Sequence, residues 1–273
     1  MIGRSAFCFF MTLTLLTPLT ACNPFDDGEP RIDRSSGLLA DRRFQWTAGP
    51  GVDLLTGPAV PIRTYTEARS DVDITGNIDY AYPGFEQAVA ADSVDGDQRI
   101  FVRNLRPDAR RPVDKAPVGN SRYLVQSLTR SGQTVTATLC NYRYGMALEN
   151  ENGTFSSVAH ILVNDTGIDT FLLRLTAPSD ESSNALPLQA GPAPAPDVDV
   201  FGDWKITGLL NRFAENDPDF DKVWPTYEAD QATCVEEAPD PPERRAFLIN
   251  GEHPRSDFPT SPPNPGWPEG GSE

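Results

Sequence analysis

After residue 122 the hydrophobic pattern of the sequence changes to a period of two residues, and this change limits the chain to folds that contain a sheet. Val135, Ala137 and Leu139 alternate with threonines and with Cys140. Such alternation is typical of strands with one buried face, and a short Gly-containing segment between two such runs indicates a hairpin. The sequence therefore predicts two hairpins and a closing strand: 123–129 with 134–142, 155–163 with 168–176, and 204–209.

Helical spacing appears before this region. Residues 58–70 begin with prolines suited to a first helical turn, and Ile62, Tyr65 and Ala68 recur at helical spacing. A second short helix is predicted for 85–91. Helices followed by an antiparallel meander predict an α+β fold, in which N-terminal helices pack on one face of a curved antiparallel sheet. An all-β sandwich is the alternative.

The first 22 residues carry the features of an export signal. The apolar stretch Ala6–Leu16 is much shorter than the roughly 20 residues that span a bilayer. Leu19-Thr20-Ala21-Cys22 resembles the bacterial lipobox. The resemblance implies that residues 1–21 are a signal peptide, and that Cys22 is lipidated and holds the exported protein on a membrane. An ordinary secretory signal that happens to contain a cysteine is the alternative.

Charge and cysteine content restrict the partners. The chain has 39 acidic and 23 basic residues, a net charge of −16, which argues against nucleic acid and against electrostatic docking on anionic lipid. Once Cys8 leaves with the signal and Cys22 is acylated, Cys140 and Cys234 remain. In an oxidising compartment these two favour a disulfide, with two buried thiols as the alternative. They are too few for a metal site.

Composition divides the mature chain into three parts. Residues 22–57 are polar and interrupted by Gly and Pro, which predicts a flexible tether. Residues 58–235 form the predicted globular domain, although a Pro/Ala-rich break interrupts it at 186–198. Residues 236–273 are dense in proline and poor in aliphatic side chains, which predicts an acidic disordered tail.

Two histidines are the candidates for acid/base chemistry. His253 falls in the predicted tail, where nothing would orient it. His160 falls on a predicted strand and would form an acid/base dyad with Asp79 or Asp169 if that face lined a pocket, as in an isomerase or dehydratase. A packed histidine with one hydrogen bond is the favoured interpretation, so the sequence predicts no catalytic residue and no cofactor.

Two further segments invite a functional interpretation. Residues 79–85 form the most aromatic patch, either a pocket wall or the packing of a helix entry, and packing is favoured because Pro83-Gly84 already explains a turn. Acidic side chains alternate at Glu215, Asp217, Asp219 and Asp221. A solvated acidic loop is favoured over a weak calcium site, since the run lacks the Gly and closing Glu of an EF-hand loop.

Several short motifs together resemble a family of uncharacterised lipoproteins from mycobacteria and related actinobacteria. They are the lipobox, 62–69, 80–85, 118–122, 135–140, 203–209 and 265–268. The resemblance implies a cell-envelope lipoprotein whose domain is similar to NTF2-like proteins, and it supplies no catalytic residues. We therefore expect a non-catalytic protein that binds a small apolar ligand or an envelope protein. A cone-pocket enzyme using His160 and a structural spacer are the alternatives.

Overall fold

The computed structural model describes residues 32–92, 99–161, 166–180 and 187–270, except for the side chains of residues 160 and 161. The strands are β1 Arg42–Ala48, β2 Val118–Ser131, β3 Thr134–Tyr142, β4 Met146–Glu149, β5 Phe155–Ser157, β6 Ile168–Thr176 and β7 Lys205–Asn211. The helices are α1 Ala59–Thr75, α2 Phe85–Ala88, α3 Arg99–Val102, α4 Phe220–Val223, α5 Tyr227–Glu236 and α6 Pro242–Ile249, with short 3₁₀ turns between several elements.

The strands form one curled sheet with the order β5-β4-β2-β3-β6-β7, in which these neighbours are antiparallel. Strand β1 pairs in parallel with β2, from Arg42 opposite Gly119 to Ala48 opposite Val125. The fold is therefore mixed helix and sheet, as the α+β prediction states, and the all-β sandwich is wrong.

One of the two predicted hairpins is present. Strands β2 and β3 pair up to Ser131 and Thr134, and Gly132 between them adopts a positive φ of 61° that a two-residue turn needs. The second predicted hairpin is wrong, because β5 pairs with β4 while β6 pairs with β3 and β7. After Ser157 the chain turns into a 3₁₀ helix over Val158–Ile161 instead of continuing as a strand.

Helix α1 packs on one face of the sheet. Its Ile62, Tyr65 and Ala68 belong to the same buried cluster as the alternating aliphatic side chains of β3 and β6. This is the apolar face that the sequence pattern predicts. The helix ends at Thr75, and the capping residue Gly76, in the left-handed conformation (φ 61°), donates its N–H to the carbonyl of Val72.

Helix α1 also buries charged side chains. Glu67 accepts hydrogen bonds from the indole N–H groups of Trp46 and Trp267, both at 2.7 Å, and from the Tyr82 hydroxyl at 3.1 Å. Arg63 donates to the carbonyls of Leu54, Gln189, Pro265 and Gly266, and its guanidinium lies 4.2 Å from the Trp267 ring centroid. These contacts satisfy most of the polar groups that burial takes from water. We call Arg63, Glu67 and their partners the α1 polar network.

The opposite face of the sheet is covered by the C-terminal segment. Cys140 in β3 and Cys234 in α5 form a disulfide, which confirms the predicted bridge. Leu248, Ile249 and Phe258 join the same buried cluster. The threonine-bearing face of β3 is therefore covered at its Cys140 end.

Two predicted boundaries are wrong. The tail predicted at 236–273 contains α6, and His253 is buried with its ring 4.3 Å from that of Phe247. Trp267, only 1% exposed, anchors the end of the segment in the α1 polar network. The tether predicted at 22–57 includes β1, a strand of the sheet. Composition suggested disorder in both segments, but in residues 32–57 and 236–270 a few large side chains pack against distant elements.

Candidate functional site: a cavity between helix α1 and the sheet

A cavity of about 770 Å³ lies between the second half of α1 and the sheet. Its lining comes from α1, the 113–117 loop, and strands β2 to β7. Tyr65, Thr66 and Tyr123 are buried at its floor, whereas Val113 and Phe213 are 38% and 63% exposed at its rim. Pockets for small molecules generally have volumes of about 300–1,000 Å³.

The helix-facing side of the sheet changes from apolar to polar where the cavity lies. Along three neighbouring strands, an aliphatic or aromatic residue has a polar residue two positions away on the same face: Leu139 and Asn141, Phe171 and Asp169, Leu209 and Asn211. Because polar side chains do not pack against α1 as the aliphatic ones do, the helix and the sheet leave a space at this end.

Two ion pairs face this space. Arg69 Nη1 lies 3.2 Å from Asp73 Oδ2 on α1, and Arg143 Nη1 lies 3.1 Å from Asp169 Oδ2 near the start of β6. Both arginine side chains are about one quarter exposed, at 22% and 27%. Burial raises the pKa of the Tyr123 hydroxyl, although Arg143 and Arg69 lower it in part, so this floor residue stays a neutral hydrogen-bond donor.

Several polar atoms around the cavity are buried without a partner. Thr66 Oγ1, Arg69 Nε, Asn141 Oδ1 and Arg143 Nε make no hydrogen bond in the described part of the chain. They are four of the nine side-chain atoms with this property among the described residues. Folded proteins leave few such atoms, so their concentration around one cavity calls for an explanation.

The charges of the lining balance. Its basic residues are Arg69, Lys115, Arg143 and Arg212, and its acidic residues are Asp73, Asp114, Glu149 and Asp169. This four-to-four balance occurs in a chain whose net charge is −16. The cavity is therefore far less acidic than the protein as a whole.

The structure brings one of the predicted candidates into this cavity. Asp169 lines it, but is already paired with Arg143. Asp79 lies outside the lining, exposed in a 3₁₀ turn. The backbone of His160 belongs to the 3₁₀ helix over Val158–Ile161, so the strand predicted for it is wrong, and its side chain lies outside the described residues.

The remaining candidates lie elsewhere. The lipidation candidate Cys22 lies outside the described residues. The aromatic segment 79–85 packs in the core, with Tyr82 and Phe85 buried, which confirms helix-entry packing as its role. In the acidic run, Asp217 pairs with Arg99 at 2.6 Å. No group of three or more metal-ligating side chains is arranged around a common point within the described ranges.

Arg69 and Arg143, with Thr66 and Asn141, are the residues that sequence reasoning missed. A signal existed in the polar residues at 141, 169 and 211, each of which flanks an apolar run. They mark the end of the packed sheet face. Only the tertiary structure shows that the arginines of α1 and of the turn after β3 meet there.

Family models, curated proteins and solved structures give no match to this chain. The cavity must therefore be interpreted from its own geometry. Among the described residues, no helix combines the length and the apolar character needed to cross a membrane.

Proposed function

We propose that this chain is an exported, lipid-anchored protein that binds a small molecule in the cavity between α1 and the sheet, without catalysing a reaction. The cavity carries the proposal, because it combines a volume of about 770 Å³ with buried polar atoms that have no protein partner. Such atoms are satisfied when a ligand or ordered water supplies the missing group.

The proposed location has separate support. The lipobox-like residues 19–22 favour anchoring through Cys22. The Cys140–Cys234 disulfide suits an oxidising compartment outside the cytosol. Because a helix lies against the inside of a curled sheet and leaves an open end, we also propose that the fold is a variant of the NTF2-like cone, within the actinobacterial lipoprotein family whose motifs the chain resembles.

The lining suits an amphipathic ligand rather than a purely apolar one. Met146, Leu148, Phe171 and Leu209 supply apolar surface, and the two ion pairs supply polar groups. A small number of placed polar groups within an apolar lining is the usual arrangement of a ligand pocket, since the polar groups orient the ligand and the apolar area supplies affinity.

A bulky substitution in the lining tests the function. Leu209→Trp adds volume inside the cavity, whereas Leu188→Trp makes the same change at a side chain that is 58% exposed and outside the lining. The uncharged fluorophore N-phenyl-1-naphthylamine is titrated into each protein. We expect saturable binding to the wild type and to Leu188→Trp, and at least a roughly tenfold loss of affinity for Leu209→Trp, the size that overpacking an apolar site produces.

Circular dichroism and thermal unfolding must show that both variants are folded. If the fluorophore does not bind the wild-type protein, or binds Leu209→Trp equally well, the cavity is not a ligand site and the proposal is wrong. Native mass spectrometry of the protein extracted from its own envelope complements this test, since it reports both a lipid mass at Cys22 and any molecule held by the domain.

A further inference from the structure

The two ion pairs that line the cavity restrict the headgroup that a ligand can carry. Arg69 is paired with Asp73, and Arg143 with Asp169. A ligand with a net charge would lose part of its hydration on entry, while the opposite charge in each of these two pairs is already engaged. A neutral headgroup avoids this cost and still forms hydrogen bonds with ionised groups, which are stronger than bonds between neutral partners.

The unpartnered atoms of the cavity include both donors and acceptors. The Nε atoms of Arg69 and Arg143 are donors, Asn141 Oδ1 is an acceptor, and the Thr66 hydroxyl is both. A carboxylate only accepts hydrogen bonds and an ammonium group only donates them, but a hydroxyl group does both. Of the common headgroups, one that carries several hydroxyls is therefore the best match for this mixed set.

An apolar path leads from the Arg143–Asp169 pair toward the solvent. Phe171 and Leu209 are partly buried beside Asp169, and Phe213 at the rim is 63% exposed. An exposed aromatic ring at the mouth of a pocket loses contact with water when an apolar chain lies on it. The path has the form needed for an alkyl tail that leaves the cavity toward the surface.

We propose that the cavity binds an uncharged, hydroxylated headgroup between the Arg69–Asp73 and Arg143–Asp169 pairs, with an alkyl tail along Phe171, Leu209 and Phe213. This inference rests on the proposed function and names its ligand class. A lipid with a sugar or glycerol headgroup and a soluble alkyl glycoside share this chemistry.

Amphiphiles with one tail and different headgroups test the inference. Octyl glucoside, octanoate and octyltrimethylammonium, each below its micelle concentration, compete with N-phenyl-1-naphthylamine for the wild-type protein. We expect octyl glucoside to bind at least about tenfold more tightly than either ion, because the charges of the Arg69–Asp73 and Arg143–Asp169 pairs are already engaged with each other. Methyl glucoside, which lacks the tail, should bind more weakly than octyl glucoside. If methyl glucoside and octyl glucoside bind equally well, the site binds a soluble sugar, and the proposed path for an alkyl tail is wrong.

A single substitution should reverse the preference. Asp169→Asn removes one carboxylate and leaves Arg143 without its ion-pair partner. We expect octanoate to gain about tenfold in affinity and octyl glucoside to lose affinity, since the freed guanidinium can now bind a carboxylate. Asp240→Asn is the matched control, because Asp240 forms a similarly half-buried pair with Arg122 outside the cavity.

Asp73→Asn repeats the experiment at the second pair if Asp169→Asn does not fold. The inference is overturned if octanoate or octyltrimethylammonium binds the wild type as tightly as octyl glucoside. It is also overturned if none of the three displaces the fluorophore, or if the folded asparagine variant and the Asp240→Asn control have the same ligand preference. In each of these cases fluorophore binding that Leu209→Trp abolishes still supports a ligand cavity, whereas loss of fluorophore binding itself refutes the proposed function.

Discussion

Replacing Glu67 by glutamine should remove a pH dependence of stability that the wild-type protein shows between about pH 4.5 and about pH 7. These limits are the ordinary pKa of a glutamate side chain, 4.5, and the pKa of Glu67 in the fold, about 7. Burial raises the pKa of Glu67, because α1 holds the carboxyl group away from water. The guanidinium of Arg63 and the hydrogen bonds from Trp267, Trp46 and Tyr82 lower it only in part.

The sign follows from which state binds the proton more tightly. Between the two pKa values the folded protein holds the proton on Glu67 and the unfolded chain has lost it, so the free energy of unfolding falls as the pH rises. The contribution is fully present below about 4.5 and is lost as the pH rises to about 7. A difference of about 2.5 between these values corresponds to roughly 3 kcal/mol.

The substitution also has a cost that does not depend on pH. Oε1 of Glu67 accepts from Trp46, and Oε2 accepts from Trp267 and Tyr82. A glutamine side chain has one acceptor oxygen, so one indole N–H loses its partner, at a cost of about 1–3 kcal/mol. The variant should therefore be less stable than wild type in acid, and the difference should shrink or reverse in mild base.

Urea unfolding followed by tryptophan fluorescence at about pH 5 and about pH 8 measures both effects. Glu86→Gln is the control, because its carboxylate is 65% exposed and the variant should keep the wild-type pH dependence. If the difference in unfolding free energy between wild type and Glu67→Gln is the same at both pH values, Glu67 does not titrate as the structure requires.

Two further substitutions test how the C-terminal segment is held. Cys140→Ser opens a covalent loop of 94 residues to Cys234 and should lower the free energy of unfolding by about 4–5 kcal/mol in denaturant titration; a reductant that leaves the wild-type midpoint unchanged would contradict this. Trp267→Ala should cost about 3–5 kcal/mol, as for other buried aromatic truncations. Trp267→Phe should cost less because it keeps a ring beside Arg63, and equal losses would show that ring packing contributes nothing.

The parts of the fold that the sequence predicted depend on local signals. Helix α1 follows from apolar residues at helical spacing, and the β2–β3 hairpin follows from the alternation in residues 134–140 and the short segment containing Gly132. The disulfide between Cys140 and Cys234 follows from the expected oxidising compartment and from the two cysteines that remain in the mature chain. Each of these signals lies in a short stretch of chain or in a simple count, so no knowledge of the tertiary structure is needed.

The errors arise where distant residues decide the structure. Proline content suggested that the C-terminal segment is disordered, but Phe258 and Trp267 find buried sites on elements far away in the sequence. Glutamate and arginine usually lie at protein surfaces, whereas Glu67 and Arg63 are buried. Their burial depends on partners that no sequence pattern in α1 reveals. The cavity is equally non-local, since Arg69 and Arg143 come from separate elements and meet only in the folded protein.

The α1 polar network joins residues that are synthesised far apart. The bond from Trp267 to Glu67 spans 200 positions, and the bond from Arg63 to Gly266 spans 203. A chain that emerges N-terminus first, from a ribosome or through an export channel, cannot complete the surroundings of its first long helix until the end of the chain has followed. Until then Glu67 and Arg63 lack these partners, although the strands of the sheet have already emerged and can pair. Contacts of this range slow folding, so the last few residues determine when the whole domain becomes native.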